Sequence, residues 1–214
     1  MEDDKLALQG DRWSKSLLDE SRNHFNRQPN ALLVDCIECF HCGSPGSALD
    51  VNMGQGRNAI FLAKKGWKVT GVDIAEKALE YARVEAQQIG HKITTHMCDI
   101  NTYNFGKSLY DLIVVSYADE STHVDNVREA LKPGGLVVFE NFHSDINDTL
   151  PTGKLEKPIG FDTNVVKDAY IQAGFTILRY DDKSIENADF SKYMNHRLVK
   201  LIARKGREGK EKDD

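Results

Sequence analysis

Ala48-Leu-Asp-Val-Asn-Met-Gly-Gln-Gly-Arg-Asn-Ala59, continued by Ile60-Phe-Leu-Ala-Lys-Lys-Gly66 and Trp67-Lys-Val-Thr-Gly-Val-Asp73, decides the fold. An apolar run around Leu49 and Val51 enters a turn at Gly54 and Gly56. A helix then begins near Arg57 and stops at Gly66, and a second apolar run ends in Asp73. Strand, glycine turn, helix and strand in this order form a nucleotide-binding unit. Glycine lets the turn approach a ligand, and the helix start presents unpaired N–H groups. An acid closing the second strand can accept hydrogen bonds from ribose hydroxyls.

The spacing leaves two ligands open. Gly54, Gly56 and Ala59 satisfy the Gly-x-Gly-x-x-Gly/Ala pattern of dinucleotide sites, with Asp73 near the distance expected for the ribose acid. Against a dinucleotide stands Asp50, which would face a pyrophosphate with like charge. A ligand carrying ammonium and sulfonium groups suits that carboxylate better.

Asp50-x-x-x-Gly54-x-Gly56, Asp73 after the second strand, Asp99 after the third and the run Leu131-Lys-Pro-Gly-Gly-Leu-Val-Val-Phe139 resemble the class I S-adenosylmethionine-dependent methyltransferases. Gly56-Arg-Asn-Ala59 and the small size look most like the small-molecule branch of tellurite-resistance and thiopurine methyltransferases. The resemblance covers roughly residues 45–140. It implies a doubly wound, Rossmann-like α/β sheet of seven strands in the order 3-2-1-4-5-7-6, with helices on both faces. It also implies S-adenosyl-L-methionine as cofactor, S-adenosyl-L-homocysteine as product and a small-molecule methyl acceptor whose reacting atom (O, N, S or metalloid) stays open. Carried onto this chain, Asp50 serves the methionine end, with Asn52, Gly54, Gly56, Arg57, Asn58 and Ser116 around it. Asp73 and Ile74 hold the ribose. Asp99 bonds the adenine amino group, and Ile100 packs on the ring. Asn52 stands where the family has glycine; asparagine tolerates left-handed backbone, but its side chain is expected to crowd the methionine moiety.

The 214 residues, 29% charged and 40% apolar, describe one ordinary globular domain. Residues 1–43 are expected to form a helical cap, 44–205 the methyltransferase domain and 206–214 a solvated tail. A net charge of −5 argues against a nucleic-acid partner, and no run reaches the length of a membrane span. Met1-Glu-Asp-Asp lacks the basic and apolar regions of a secretory signal, so the cytoplasm is expected, with the protein a monomer or homodimer.

Cys36-x-x-Cys39-x-x-Cys42 beside His41 has the closeness of a metal site. Leu32, Leu33, Cys36, Ile37, Cys39 and Phe40, however, make one apolar helical face, and no second cysteine pair completes a site. Packing is expected, and no metal. Residues 1–11 read as flexible, Trp13 to Phe25 as a helix, and Pro29 to Phe40 as a second helix. The resemblance implies that such leading helices cover the pocket, which would make Trp13 a lid aromatic; a place in the helix's core face is the expectation preferred. His24 reads as a surface residue.

Tyr110-Asp-Leu-Ile-Val-Val-Ser116 reads as a central parallel strand that carries Ser116, Tyr117, Asp119 and Glu120 to the ligand edge. A helix over 120–131, a Lys132-Pro-Gly-Gly135 turn and a strand from Leu136 to Phe139 follow. The polar stretch 144–161 has no period; Asp162 or Thr163 is expected to cap a helix running to Gly174, and two final strands to form an antiparallel hairpin. Tyr117 and His143 are the catalytic candidates nearest the acceptor, His143 as general base because imidazole titrates near neutrality. Two other classes remain: a module that binds the adenosyl cofactor without turnover, and an NAD(P)-dependent oxidoreductase.

Overall fold

The computed structural model describes residues 2–18, 27–41, 43–118, 121–149, 158–187 and 195–207. His24, Cys42, Asp119 and Glu120 lie outside them. The strands are β1 (Ser47–Val51), β2 (Lys68–Asp73), β3 (Thr94–Met97), β4 (Tyr110–Ser116), β5 (Leu131–Phe142), β6 (Phe175–Asp181), the three-residue β7 (Ile185–Asn187) and β8 (Asn195–Lys205). They pair in the order β3-β2-β1-β4-β5-β8-β6, with β7 on β8. Without β7, this is the expected seven-strand order 3-2-1-4-5-7-6.

β1 to β5 run parallel, and β8 lies antiparallel between β5 and β6. The chain leaves β1 for β2 and β3, then returns to β4 on the other side of β1. The carboxyl ends of β1 and β4 therefore diverge at a switch point, where open α/β sheets bind ligands.

Alternation along β4 shows why both faces are covered. Leu112 and Val114 join one core with Leu33, Ile60, Leu62 and Leu79, beneath α2 (Ala31–Asp35), α3 (Arg57–Lys64) and α4 (Glu76–Gln88). Ile113 and Val115 join the other with Phe139, Val127, Tyr170 and Phe175, beneath α5 (Val124–Ala130) and α7 (Val165–Gln172). Period two on a doubly covered strand produces the unbroken apolar run in the sequence.

Several local expectations are corrected. Residues 2–11 are not flexible coil: α1 runs Glu2–Leu18 and packs against α4; the expected stretch from there to Phe25 lies outside the described residues. Trp13 is not core but 41% exposed. The second helix is α2 followed by a π-helix, Cys36–Phe40. That widening turns Cys39 outward while Cys36 stays fully buried, so Cys39 leaves the apolar face. Burial pushes the Cys36 thiol up to about 12, the behaviour of an inert packed thiol. Leu131 to Gly135 belong to β5 rather than to a helix end and turn, and α5 is confined to Val124–Ala130. A short α6 (Ile146–Thr149) interrupts the polar stretch. α7 starts after Asn164, which is left-handed at φ 67 and gives no side-chain cap, so neither Asp162 nor Thr163 caps it.

Met53 fixes how closely β1, β2 and α4 approach. A Cβ on Gly71 would fall 1.9 Å from its sulfur, and one on Gly56 would fall 2.8 Å from the Ala82 methyl. Gly71→Ala is therefore expected to cost about 1–3 kcal/mol, the scale of overpacking, measured by urea unfolding. Met53→Ala in the same chain should recover part of it; no recovery would show that the glycine is needed for another reason.

Candidate functional site

The parallel register brings Val51, Asp73 and Ser116 to one edge of the sheet. After β1 the backbone turns through Asn52 at φ 55 and Gly54 at φ 50, then enters α3 through Gly56 at φ 80. Asparagine takes the left-handed position that was expected to favour glycine. The Asp73 carboxylate ties this turn to β2: one oxygen accepts the Gly54 N–H and the other the Ala75 N–H, each at 2.8 Å. Burial raises the pKa of Asp73, and the N–H groups of Ala75, Gly54 and Ile74 pull it back.

A cleft of about 1040 Å³ opens over this edge. Ten of the thirteen site residues picked from the sequence line it: Asn52, Gly54, Arg57, Asn58, Asp73, Ile74, Asp99, Ile100, Ser116 and Tyr117. Asp99 also organises its own turn, accepting the Asn101 N–H at 2.9 Å. The Ser116 hydroxyl is buried on the cleft wall with no hydrogen-bond partner among the described residues.

Three picked residues lie elsewhere. Gly56 faces Ala82 and Met53, so its missing side chain serves helix packing rather than ligand approach. Asp50 is fully buried behind the turn and does not reach the cleft. His143 is also outside it: one ring nitrogen meets the Thr163 hydroxyl at 3.1 Å, and the other accepts the Asp145 N–H at 3.2 Å. With both nitrogens engaged, and a bridge from His143 to Phe161, His143 is placed as a structural anchor of the 143–163 segment.

The cleft has walls beyond the picked residues. α1 lays Gln9, Trp13 and Leu17 across it. Gly10 makes this possible, because a Cβ there would sit 2.5 Å from the Ile74 carbonyl oxygen. The Gln55 amide donates to the Leu17 carbonyl at 2.6 Å, fastening α1 to the glycine turn. Asn141 and Phe142 close the β5 side, with the Asn141 amide donating to the Ala118 carbonyl at 3.0 Å. The rule that strand ends carry ligands could have found these two; α1 was expected as part of a helical cap, with none of its residues picked for the site.

Asp50 is held at a cost. Neither oxygen makes a hydrogen bond of good geometry. Burial pushes its pKa up to about 7, although the Arg57 guanidinium, the Ala59 N–H and the Asn58 amide lie near enough to lower it.

Residues 48–135 match the family described as methyltransferase domain. Ubiquinone biosynthesis O-methyltransferase of Hydrogenovibrio crunogenus is 28% identical over 127 residues, covering 56% of this chain and 53% of that protein. The probable S-adenosyl-L-methionine-dependent methyltransferase TehB of Haemophilus influenzae is 26% identical over 143 residues, covering 62% and 50%. The chain thus spans about half the length of these curated relatives. The crystal structure of TehB from Haemophilus influenzae superposes with a TM-score of 0.67 at 24% identity, over 82% of this chain and 62% of that one. The [4+2]-cyclase SpnF superposes at 0.68 with 14% identity, over 91% and 93%. A fold shared with a cyclase shows that the sheet alone does not fix the chemistry.

Asp50 gives the fold a pH signature. In the unfolded chain the group titrates near ~3.9, and in the folded chain at about 7. Between these values the unfolded state has lost a proton that the folded state keeps, so stability falls as pH rises through the window and then levels. Asp50→Asn removes that term. The variant's urea midpoint is expected to gain on the wild type between about pH 4 and 8; a constant difference would show that Asp50 ionises freely when folded.

Proposed function

We propose that this chain, whose residues 48–135 belong to the methyltransferase-domain family, transfers a methyl group from S-adenosyl-L-methionine to a small-molecule acceptor. The observation that carries the reading is the convergence of the glycine turn, Asp73, Asp99 and the unpartnered Ser116 hydroxyl on one cleft. Their chemistry fits an adenosyl amino acid. Each Asp73 oxygen, already holding one N–H, keeps lone pairs for a ribose hydroxyl. Asp99 stands at the end of β3 for the adenine amino group, and Ile100 packs beside it. Arg57 and the start of α3 favour the amino-acid carboxylate, and Ser116 bonds the ammonium. Bound there, the cofactor supplies an activated methyl on sulfur. The protein's part is to align the acceptor and exclude water, for which Trp13 and Leu17 of α1 form the outer wall.

The acidic balance supports a small acceptor rather than a nucleic acid. Free thiols at Cys36, Cys39 and Cys98 support a reducing, cytoplasmic setting. Among the described residues no helix is long and apolar enough to cross a membrane.

Calorimetry with S-adenosyl-L-homocysteine tests the reading. Binding is expected, and Asp99→Ala should weaken it about tenfold, the scale of a lost hydrogen bond to a charged group. NADH binding in place of the adenosyl ligand would overturn the reading in favour of an oxidoreductase.

A further inference from the structure

We infer that Ile159, held in place by the side chain of Asn147, limits the size of the acceptor that the cleft admits. The inference rests on the methyl-transfer reading and extends it to the class of acceptor, a compact molecule rather than a bulky one.

The order of the sheet leaves one place for the acceptor. Along the ligand edge the strand ends run β3, β2, β1, β4 and β5. With adenine at the end of β3, ribose at β2 and the ammonium at β4, the acceptor is left the end of β5. Ser116 closes β4 in register with Glu140, two residues before Phe142. Asn141, Phe142 and Ile159 all line the cleft.

Ile159 reaches this end because the chain returns along the end of β5. The Phe161 N–H donates to the Phe142 carbonyl and the Ser144 N–H to the Phe161 carbonyl, each at 3.0 Å, so that His143 and Phe161 bridge in parallel. Between them Gly160 passes very close. A Cβ there would fall 2.8 Å from the Phe142 carbonyl oxygen and 2.9 Å from that of His143, and its φ of 85 also favours glycine. Ile159 therefore stands one residue from a tight contact with Phe142.

Asn147, carried by α6, clamps the main chain of Ile159. Its side-chain oxygen accepts the Ile159 N–H at 3.0 Å, and its amide nitrogen donates to the Ile159 carbonyl at 2.7 Å. The same nitrogen donates to the Ser144 carbonyl at 2.7 Å, which fixes the amide itself. A residue bonded at both its N–H and its C=O, with a glycine contact one position on, does not swing aside for a larger ligand. Its side chain is branched at Cβ and stiff at χ1. Ile159 is then a fixed wall, and Asn147 its positioning residue.

Two stable probes test this: adenosyl amino acids in which nitrogen replaces the sulfur of S-adenosyl-L-methionine, one carrying methyl on that nitrogen and the other naphthylmethyl. In calorimetry the methyl probe should bind wild type, Ile159→Ala and Asn147→Ala alike, which also shows that the variants are folded. Wild type should bind the naphthylmethyl probe about tenfold more weakly than the methyl probe, the scale of overpacking an apolar site. Ile159→Ala should recover most of that deficit with the clamp intact, because Asn147 bonds the main chain of residue 159. Asn147→Ala should recover part of it, and amide hydrogen exchange at residue 159 should speed in that variant alone. Should Asn147→Ala fail to fold, Ile159→Ala decides. Equal binding of the two probes by the wild type, a deficit that Ile159→Ala leaves unchanged, or unaltered exchange in a folded Asn147→Ala would each overturn the inference. Failure of the wild type to bind the methyl probe would instead sink the methyl-transfer reading, and the size limit with it.

Discussion

Asp73 closes β2 with a carboxylate whose oxygens are held by the Gly54 and Ala75 N–H groups, and the rest of the site is positioned from that tie. Through Gly54 it sets the turn after β1; through Ala75 it sets the entry to α4. The turn in turn carries Gln55, which fastens α1 over the cleft. One buried acid thus fixes a floor, a side wall and a lid. Hydrogen bonds to a charged acceptor are the stronger kind, and only 8% exposure shields this one from competing water.

Behind it sits a second acid with the opposite character. Asp73 is buried and satisfied, whereas Asp50 is buried with neither oxygen properly bonded. Burial raises the pKa of both; for Asp73 three N–H groups pull it back, and for Asp50 the nearby Asp73 carboxylate adds to the rise.

The sheet was legible because its determinants are local and periodic. Doubly buried strands read as apolar runs, and glycine turns and strand-end acids mark the ligand edge. The sequence pattern therefore found the strand order and ten of the residues that line the cleft. It misplaced Asp50 and His143 because a residue number near a strand end does not say which way a side chain points. The Asp145 N–H and the Thr163 hydroxyl that hold His143 come from a segment with no readable period. It misread Gly56 because packing against Ala82, 26 residues away, leaves no local trace. A helical cap was expected over residues 1–43, but the early start of α1 was not: its docking depends on Gly10 fitting the Ile74 carbonyl, a contact between distant parts of the chain.

A crystal structure grown with S-adenosyl-L-homocysteine addresses the central claim most directly. The account predicts the ribose hydroxyls on Asp73, the adenine between Asp99 and Ile100, and the amino acid reaching Ser116, with α1 closed over the ligand. An adenosyl ligand lodged instead in the groove between α3 and α4, beside Phe61 and Tyr81, would contradict it.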